Sequence, residues 1–310
     1  MNIKNIVIAG AGTMGYSMAQ IFAKYNFDVT IYDLKDEAIE NARNRIQENT
    51  KILIEEHELS IEEEEKLHQH LTYTTDKSCF KNCDLVVESI IEKVEIKQSF
   101  YKKISKIVRE DTILATNTSG ISINTLASAV YKPERFIGMH WFNPSHLILL
   151  IEIIKGDHTL DSVAQSIKDL SIQIGKKPVI VQKDVLGFAA NRIQFAVLRE
   201  ALYLVEQGVI SKEDIDAVMK YGLGFRYACL GPLEVADFGG LDTFYHISDY
   251  LMEDLCNDTK VPHKLAELYE SGHLGIKTQQ GFYDYHDGKD HEAIKNRDDQ
   301  LLKLYNALYK

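Results

Sequence analysis

The sequence predicts an α/β protein: a doubly wound, mostly parallel sheet followed by an all-helical C-terminal domain. Short β-branched runs alternate with helical patterns through the first half of the chain, as expected of a parallel sheet covered by helices. A glycine-rich turn follows the earliest of these runs. Beyond Lys183 the strand-like runs largely stop and helical spacing takes over.

The predicted elements set the domain boundaries. Strands are predicted at residues 6–9, 29–33, 85–89, 112–117, 136–140, 150–154 and 178–182. Residues 1–183 should form a nucleotide-binding domain and residues 184–310 a helical domain for dimerisation and substrate binding. The end of the chain repeats leucines at helical spacing, which predicts a docking helix.

An acidic helical segment interrupts the early strands at about residues 36–71. Ser60 and Glu63 have the spacing of a capping box, which predicts two helices joined near Glu58. His68 and His70 do not share a helix face, so we expect a solvated helical hairpin and no metal site.

Composition narrows the class of protein. The chain has 310 residues, 45% of them apolar, and a formal net charge of -11, which gives no support to nucleic-acid binding. No apolar run is long enough to span a bilayer. The four cysteines show neither a CxxC pair nor zinc spacing, so we expect free thiols in a reducing cytoplasm.

The glycine-rich turn has the pattern of a Rossmann-type dinucleotide site. In the segment Gly10-Ala11-Gly12-Thr13-Met14-Gly15, the first glycine permits a tight turn and the second lets the backbone approach a pyrophosphate. Gly15 allows close helix–strand packing. Asp33 ends the second strand, where a carboxylate would hold the adenosine ribose, and this favours NAD. Lys35 leaves NADP open.

The run GMHWFNPSHLILLIE contains a candidate base. His140 ends an apolar strand, and Glu152 follows twelve residues later inside the next apolar run. An imidazole held by a carboxylate is a good base near neutral pH. Read alone, the two residues could equally be a half-buried structural histidine and a solvated carboxylate.

Several motifs in order resemble the 3-hydroxyacyl-CoA dehydrogenase family. They are GAGTMG, VVESIIEKVEIK, ATNTSG, HWFNP, GFAANR, GPLEVADFGGLD and GIKTQQGFYDY. The resemblance covers nearly the whole chain. It implies a homodimeric enzyme of fatty acid metabolism that oxidises the 3-hydroxyl of a short L-3-hydroxyacyl-CoA with NAD.

The resemblance also assigns roles to residues. It implies that His140 is the base and that Glu152 orients it. Ser119 would bind the substrate oxygen, and Asn191 would hold substrate and base in place. Ser119 could instead be a turn residue, and Asn191 could simply cap or cross-link a helix. The implied cofactor contacts, besides the glycine loop and Asp33, are Glu92, Lys97, Asn117 and Asn143.

The chain departs from the family pattern in two places. The family's hairpin carries a serine and lysines that contact CoA phosphates, but the matching positions are Asn49 and Glu56, in an acidic context that Lys51 offsets only partly. The run GFRYACLGP introduces Arg226, which could bind a free carboxylate or lie in solvent. A dehydrogenase of free 3-hydroxy acids is therefore the alternative, and a non-catalytic NAD-binding protein is a third hypothesis.

Overall fold

The structure, a computed structural model, describes residues 3–55 and 59–309. The chain divides into two compact units that adjoin in sequence at Arg192 and Ile193. This division falls inside a helix, whereas the sequence predicts a domain boundary after residue 183.

The first unit is built on one eight-stranded sheet. Its strands are β1 (Asn5–Ala9), β2 (Asp28–Tyr32), β3 (Leu71–Thr74), β4 (Leu85–Glu88), β5 (Ile113–Thr116), β6 (Phe136–Trp141), β7 (Leu150–Lys155) and β8 (Lys177–Val181). Their order is β3-β2-β1-β4-β5-β6-β7-β8. Every neighbouring pair is parallel except β6 and β7. The predicted Rossmann-type, mostly parallel sheet is confirmed.

Helices cover both faces of this sheet. They are α1 (Thr13–Lys24), α2 (Asp36–Glu55), α3 (Ile61–Gln69), α4 (Val94–Ile104), α5 (Ile123–Ala127) and α6 (Asp161–Gln173). Phe22 on α1 and Ile167 on α6 belong to the core of one face. Tyr101 on α4 and Leu126 on α5 belong to the core of the other. These apolar strands are buried on both sides because both faces carry helices.

The acidic segment forms two helices, α2 and α3, as predicted. Ser60 caps α3 through its hydroxyl, and the Glu63 carboxylate accepts from the Ser60 amide at 2.9 Å, so the capping box is confirmed. The predicted joint near Glu58 lies outside the described residues. The helical segment ends at Gln69, since Leu71 begins strand β3, which the sequence analysis missed. The run Leu71–Thr74 is β-branched and aromatic but too short to stand out beside α3.

The described part of the second unit contains helices and connecting loops but no strand, apart from isolated bridges. After α7 (Ala190–Glu206), the α-helices are α8 (Lys212–Val218), α9 (Gly224–Tyr227), α10 (Pro232–Gly239), α11 (Leu241–Leu251), α12 (His263–Glu270) and α13 (Lys289–Tyr309). The terminal helix α13 has the predicted leucine face, of which Leu304 and Leu308 remain exposed. Among residues 3–55 and 59–309, no helix is long and apolar enough to cross a membrane.

Candidate active site

The glycine loop between β1 and α1 requires glycine at two positions. Gly10 has a φ of +111°, and a Cβ there would lie 2.5 Å from the Ser89 carbonyl oxygen. A Cβ on Gly15 would lie 1.8 Å from the Gly10 carbonyl oxygen. The helix therefore packs so closely on the strand end that no larger residue fits at either position.

A cleft opens where β1, β2 and β4 end. It has a volume of about 1160 Å³, and the loop glycines, Thr13 and Asp33 line it. A Cβ on Gly12 would meet no protein atom within 4 Å, so a ligand can approach the backbone there. The amides of the first turn of α1 are available to an anion. Met14, in contrast, packs against the hydrophobic core.

Asp33 lines this cleft and accepts two backbone hydrogen bonds. Its Oδ2 accepts a hydrogen bond from the Ala11 amide at 2.9 Å, and its Oδ1 accepts from the Lys35 amide at 3.3 Å. A carboxylate at this position suits ribose hydroxyls and repels a 2′-phosphate. The open loop and Asp33 together fit NAD.

His140 and Glu152 form a buried pair on adjacent strands. The antiparallel register of β6 and β7 places the two residues directly opposite each other. His140 Nδ1 donates to Glu152 Oε2 at 2.9 Å, and the residues are 3% and 0% exposed. The alternative in which Glu152 is a solvated carboxylate is wrong, because antiparallel pairing carries it into the sheet interior.

The other oxygen of Glu152 binds the start of α7. Glu152 Oε1 accepts from the amides of Ala189 and Ala190 at 3.0 and 2.9 Å. Burial raises the pKa of Glu152, but the hydrogen bonds from His140 and these two amides outweigh it and hold the pKa below its ordinary value. Glu152 therefore stays charged and can stabilise a protonated imidazole. These contacts also explain why the helix start belongs to the first unit.

Ser119 lies in the turn of residues 117–120, which follows β5 and is named the catalytic turn after the role that the sequence predicts for Ser119. Its amide donates to Glu92 Oε1 at 3.0 Å, and its carbonyl accepts from Asn191 Nδ2 at 2.7 Å. Both backbone groups of Ser119 are thus fixed, while its side chain is exposed. Asn191 lies in the first turn of α7, and its bond to Ser119 cross-links this helix to the turn, as the structural alternative for Asn191 also predicts.

The remaining predicted cofactor contacts differ in their access to a ligand. Lys97 is fully buried, and its ammonium is bound to Glu88 and Glu92. The buried position of Lys97 therefore gives no support to the predicted direct contact with a cofactor. Asn117 is buried, and its Oδ1 accepts from the Trp141 amide at 2.8 Å, so it ties β5 to β6. Asn143 is exposed in the loop after β6 and precedes Pro144 through a cis peptide bond.

Sequence reasoning missed several groups at this site. Glu88, the last residue of β4, is fully buried and bonds Lys97. Thr118 donates its hydroxyl to Glu92, and Phe188 places its ring 5.6 Å from that of His140. A carboxylate that closes an apolar strand is a detectable signal for Glu88. The amides that bind Glu152 belong to the backbone, so no residue type in the sequence marks them.

A buried, carboxylate-held imidazole on the same sheet as a dinucleotide cleft can remove a hydroxyl proton while hydride passes to nicotinamide. The fold and the site thus define an NAD-dependent dehydrogenase. The chain belongs to the 3-hydroxyacyl-CoA dehydrogenase family. The profile of the family's NAD binding domain matches residues 5–185, and that of its C-terminal domain matches residues 187–285.

Relatives with two kinds of substrate are similar to this chain. The 5-formyl-3-hydroxy-2-methylpyridine 4-carboxylate 5-dehydrogenase of Mesorhizobium japonicum is 39% identical over 284 residues, which is 91% of each chain. The 3-hydroxybutyryl-CoA dehydrogenase of Bradyrhizobium diazoefficiens is 36% identical over 288 residues, 93% of this chain and 97% of its own.

Two solved structures show the same division. A 5-formyl-3-hydroxy-2-methylpyridine 4-carboxylic acid 5-dehydrogenase, described as an NAD+ dependent dismutase, superposes with a TM-score of 0.91 at 36% identity over 99% of both chains. The (S)-3-hydroxybutyryl-CoA dehydrogenase of Ralstonia eutropha gives a TM-score of 0.78 at 34% identity, covering 92% of this chain and 100% of its own.

Proposed function

We propose that this enzyme uses NAD to oxidise the 3-hydroxyl of a short L-3-hydroxyacyl-CoA, reversibly, to the 3-ketoacyl-CoA. The observation that carries the proposal is the buried His140–Glu152 pair, 2.9 Å apart. The catalytic turn with Ser119 follows β5, and the pair stands on the adjoining β6 and on β7. In such sheets, ligands bind beyond the carboxyl ends of the strands.

The chain's own residues divide the work of proton transfer. Because His140 Nδ1 donates to Glu152, the neutral ring carries its free lone pair on Nε2. Nε2 takes the substrate hydroxyl proton, and the charged Glu152 stabilises the imidazolium that results. Ser119 holds the same substrate oxygen through its hydroxyl, while Asn191 fixes the turn that carries Ser119.

NAD, when bound, accepts the hydride from the carbon that carries the hydroxyl. Asp33 would hold its adenosine ribose, and Gly12 with the start of α1 would meet its pyrophosphate. Glu92 and Asn143 are the further contacts that we propose toward the nicotinamide end.

A second candidate function is oxidation of a free acid that carries no CoA. Residues 36–71 hold eleven carboxylates against four lysines and arginines, which would repel the phosphates of CoA. Asn49 already donates its amide to Gln20 Oε1 at 3.3 Å. The dehydrogenase whose name gives a pyridine carboxylic acid as its substrate covers 99% of this chain. Arg226 is the residue that we propose for the free carboxylate.

One steady-state experiment separates the two candidates. NADH oxidation is measured with acetoacetyl-CoA and with free acetoacetate, and NAD reduction with free 3-hydroxybutyrate and carnitine. We expect the enzyme to turn over acetoacetyl-CoA at a far lower substrate concentration than it needs for the free acids. Turnover with the free acids alone would reject the CoA thioester as substrate. In that case the variant Arg226→Lys should raise the KM for the acid, because it loses the bidentate contact.

The assembly and location of the enzyme are part of the proposal. We propose a homodimer formed by the helical unit. The short helix α10 exposes two large apolar side chains, Leu233 and Phe238, each at 81%. The free cysteines Cys79, Cys83, Cys229 and Cys256 support a reducing cytoplasm. A role in fatty acid metabolism follows from the proposed substrate.

A further inference from the structure

A series of charged groups, buried at its β4 end, connects the end of β4 with the catalytic turn. Glu88 and Lys97 are both fully buried, and Lys97 Nζ lies 2.5 Å from Glu88 Oε1. The same ammonium lies 3.1 Å from Glu92 Oε2. Glu92 accepts from the Thr118 hydroxyl and from the Ser119 amide. The contacts therefore run without a break from the strand interior to Ser119.

Glu88 is the rigid end of this series. Besides Lys97, it accepts from the Ile90 amide at 2.8 Å, the Tyr101 hydroxyl at 3.0 Å and the Thr116 hydroxyl at 2.8 Å. Four donors hold its two oxygens, so the carboxylate has a single position. Since a buried ammonium needs paired charge, Glu88 also sets the position of Lys97.

Lys97 divides its attraction between two carboxylates. Glu92 is about half exposed and is the movable partner. With Glu88 charged, Lys97 stays on the β4 side, and Glu92 keeps its other oxygen for the catalytic turn. Without that charge, Glu92 would be the only carboxylate left for Lys97 and would be drawn away from the Ser119 amide.

We propose that Glu88 is a positioning residue for the oxidation: through Lys97 and Glu92 it fixes the backbone of Ser119, so that the Ser119 hydroxyl meets the substrate oxygen. The role in turnover rests on the proposed function. The positioning of Ser119 can be measured without turnover.

Hydrogen exchange at the Ser119 amide tests the positioning directly. Glu88→Gln keeps the size of the side chain and removes its charge. Tyr101→Phe is the matched control, because it removes one hydrogen bond to Glu88 and changes no charge in the series. We expect exchange to become roughly tenfold faster or more in Glu88→Gln, the effect of losing one charge-assisted hydrogen bond, and to stay unchanged in Tyr101→Phe. Wild-type protection in Glu88→Gln would overturn the proposal.

A double-mutant cycle tests the consequence for catalysis. Glu88→Gln, Ser119→Ala and the double variant are compared by kcat with acetoacetyl-CoA and NADH. If Glu88 acts through Ser119, the first change should lower kcat about tenfold in the wild type and less than about twofold in Ser119→Ala. Equal losses in both backgrounds would overturn the proposal, because general damage to the fold is additive.

The proposal can still be tested if the Glu88→Gln variant does not fold or if the wild type does not turn over acetoacetyl-CoA. If Glu88→Gln does not fold, Glu92→Gln replaces it in both experiments, since it keeps the size of a half-exposed side chain, removes the charge that binds Lys97 and should give the same pattern. If the wild type does not turn over acetoacetyl-CoA, the proposed function fails, and the exchange experiment alone decides the role of Glu88.

Discussion

His140 Nδ1 and Glu152 Oε2 lie 2.9 Å apart on directly opposed positions of two antiparallel strands, and neither side chain is open to solvent. A backbone register, rather than a flexible loop, sets this distance. The imidazole is held at one nitrogen, and its tautomer is fixed by the carboxylate.

Removing either member of the pair should lower turnover without weakening cofactor binding. His140→Gln loses the base, and we expect kcat to fall about 10²–10⁴-fold. Glu152→Gln keeps an acceptor for the Ala189 and Ala190 amides but cannot stabilise the imidazolium, so its kcat should fall by less than that of His140→Gln. Stopped-flow measurement of hydride transfer follows the catalytic step, and NADH fluorescence titration measures cofactor binding. Near-normal turnover in His140→Gln would reject His140 as the base.

The charge of Glu152 should also appear in the pH dependence of stability. Its pKa in the folded protein lies below the ordinary value, chiefly because hydrogen bonds from His140 and two amides outweigh the effect of burial. The resulting stabilisation is present above the unfolded pKa of about 4.3 and is lost as the pH falls through the folded pKa. At pH 6 the wild type should have a higher free energy of unfolding than Glu152→Gln. This difference should shrink as the pH is lowered to 3, and urea titrations measure it. A constant difference would contradict a lowered pKa.

Lys176 should give a second rise of stability with pH, this time at alkaline pH. Burial lowers its pKa from 10.5 to about 8, and the ammonium donates to the Ser145 and Ile148 carbonyls. Below pH 8, Lys176 is charged in both the folded and the unfolded protein, so its contribution to the free energy of unfolding does not change with pH. Between pH 8 and 10.5 the folded protein releases this proton before the unfolded chain does, so stability should rise relative to Lys176→Met. Lys177→Met, at the exposed next residue, is the control and should show no such trend.

How far the sequence predicts this molecule depends on how local each feature is. The glycine loop and the strand before it are visible because their pattern lies within residues 6–15, although Gly10 also meets Ser89 from the neighbouring strand end. The short strand Leu71–Thr74 was missed because only its pairing with β2 distinguishes it from the end of a helix. The burial of Lys97 and Glu152 was also invisible, since it depends on strand order and register rather than on neighbours in the chain.

Asp33 should determine affinity and choice of nucleotide. Its carboxylate accepts from Ala11 at 2.9 Å and would hold the ribose hydroxyls. Asp33→Ala should weaken NADH binding roughly tenfold to hundredfold, since a hydrogen bond to a charged group contributes about 1.5–3 kcal/mol. Binding of NADPH should improve relative to NADH, because a repulsive charge is gone. Fluorescence titration measures both, with the exposed Asp36→Asn as control. Unchanged NADH affinity in Asp33→Ala would place the ribose elsewhere.

The apolar surface of α10 should hold two subunits together. Leu233 and Phe238 are each 81% exposed, and large apolar side chains exposed at this level on one short helix are typical of an interface. We expect sedimentation equilibrium to give a dimer at micromolar concentration, and Leu233→Asp/Phe238→Asp to give a monomer, because each buried carboxylate would lack a partner. Ile172→Asp, at a 54% exposed position on α6 of the first unit, introduces the same charge as a control and should leave the dimer intact. A wild-type monomer under these conditions would contradict the proposed assembly. Dissociation by Ile172→Asp would move the interface to the nucleotide-binding unit.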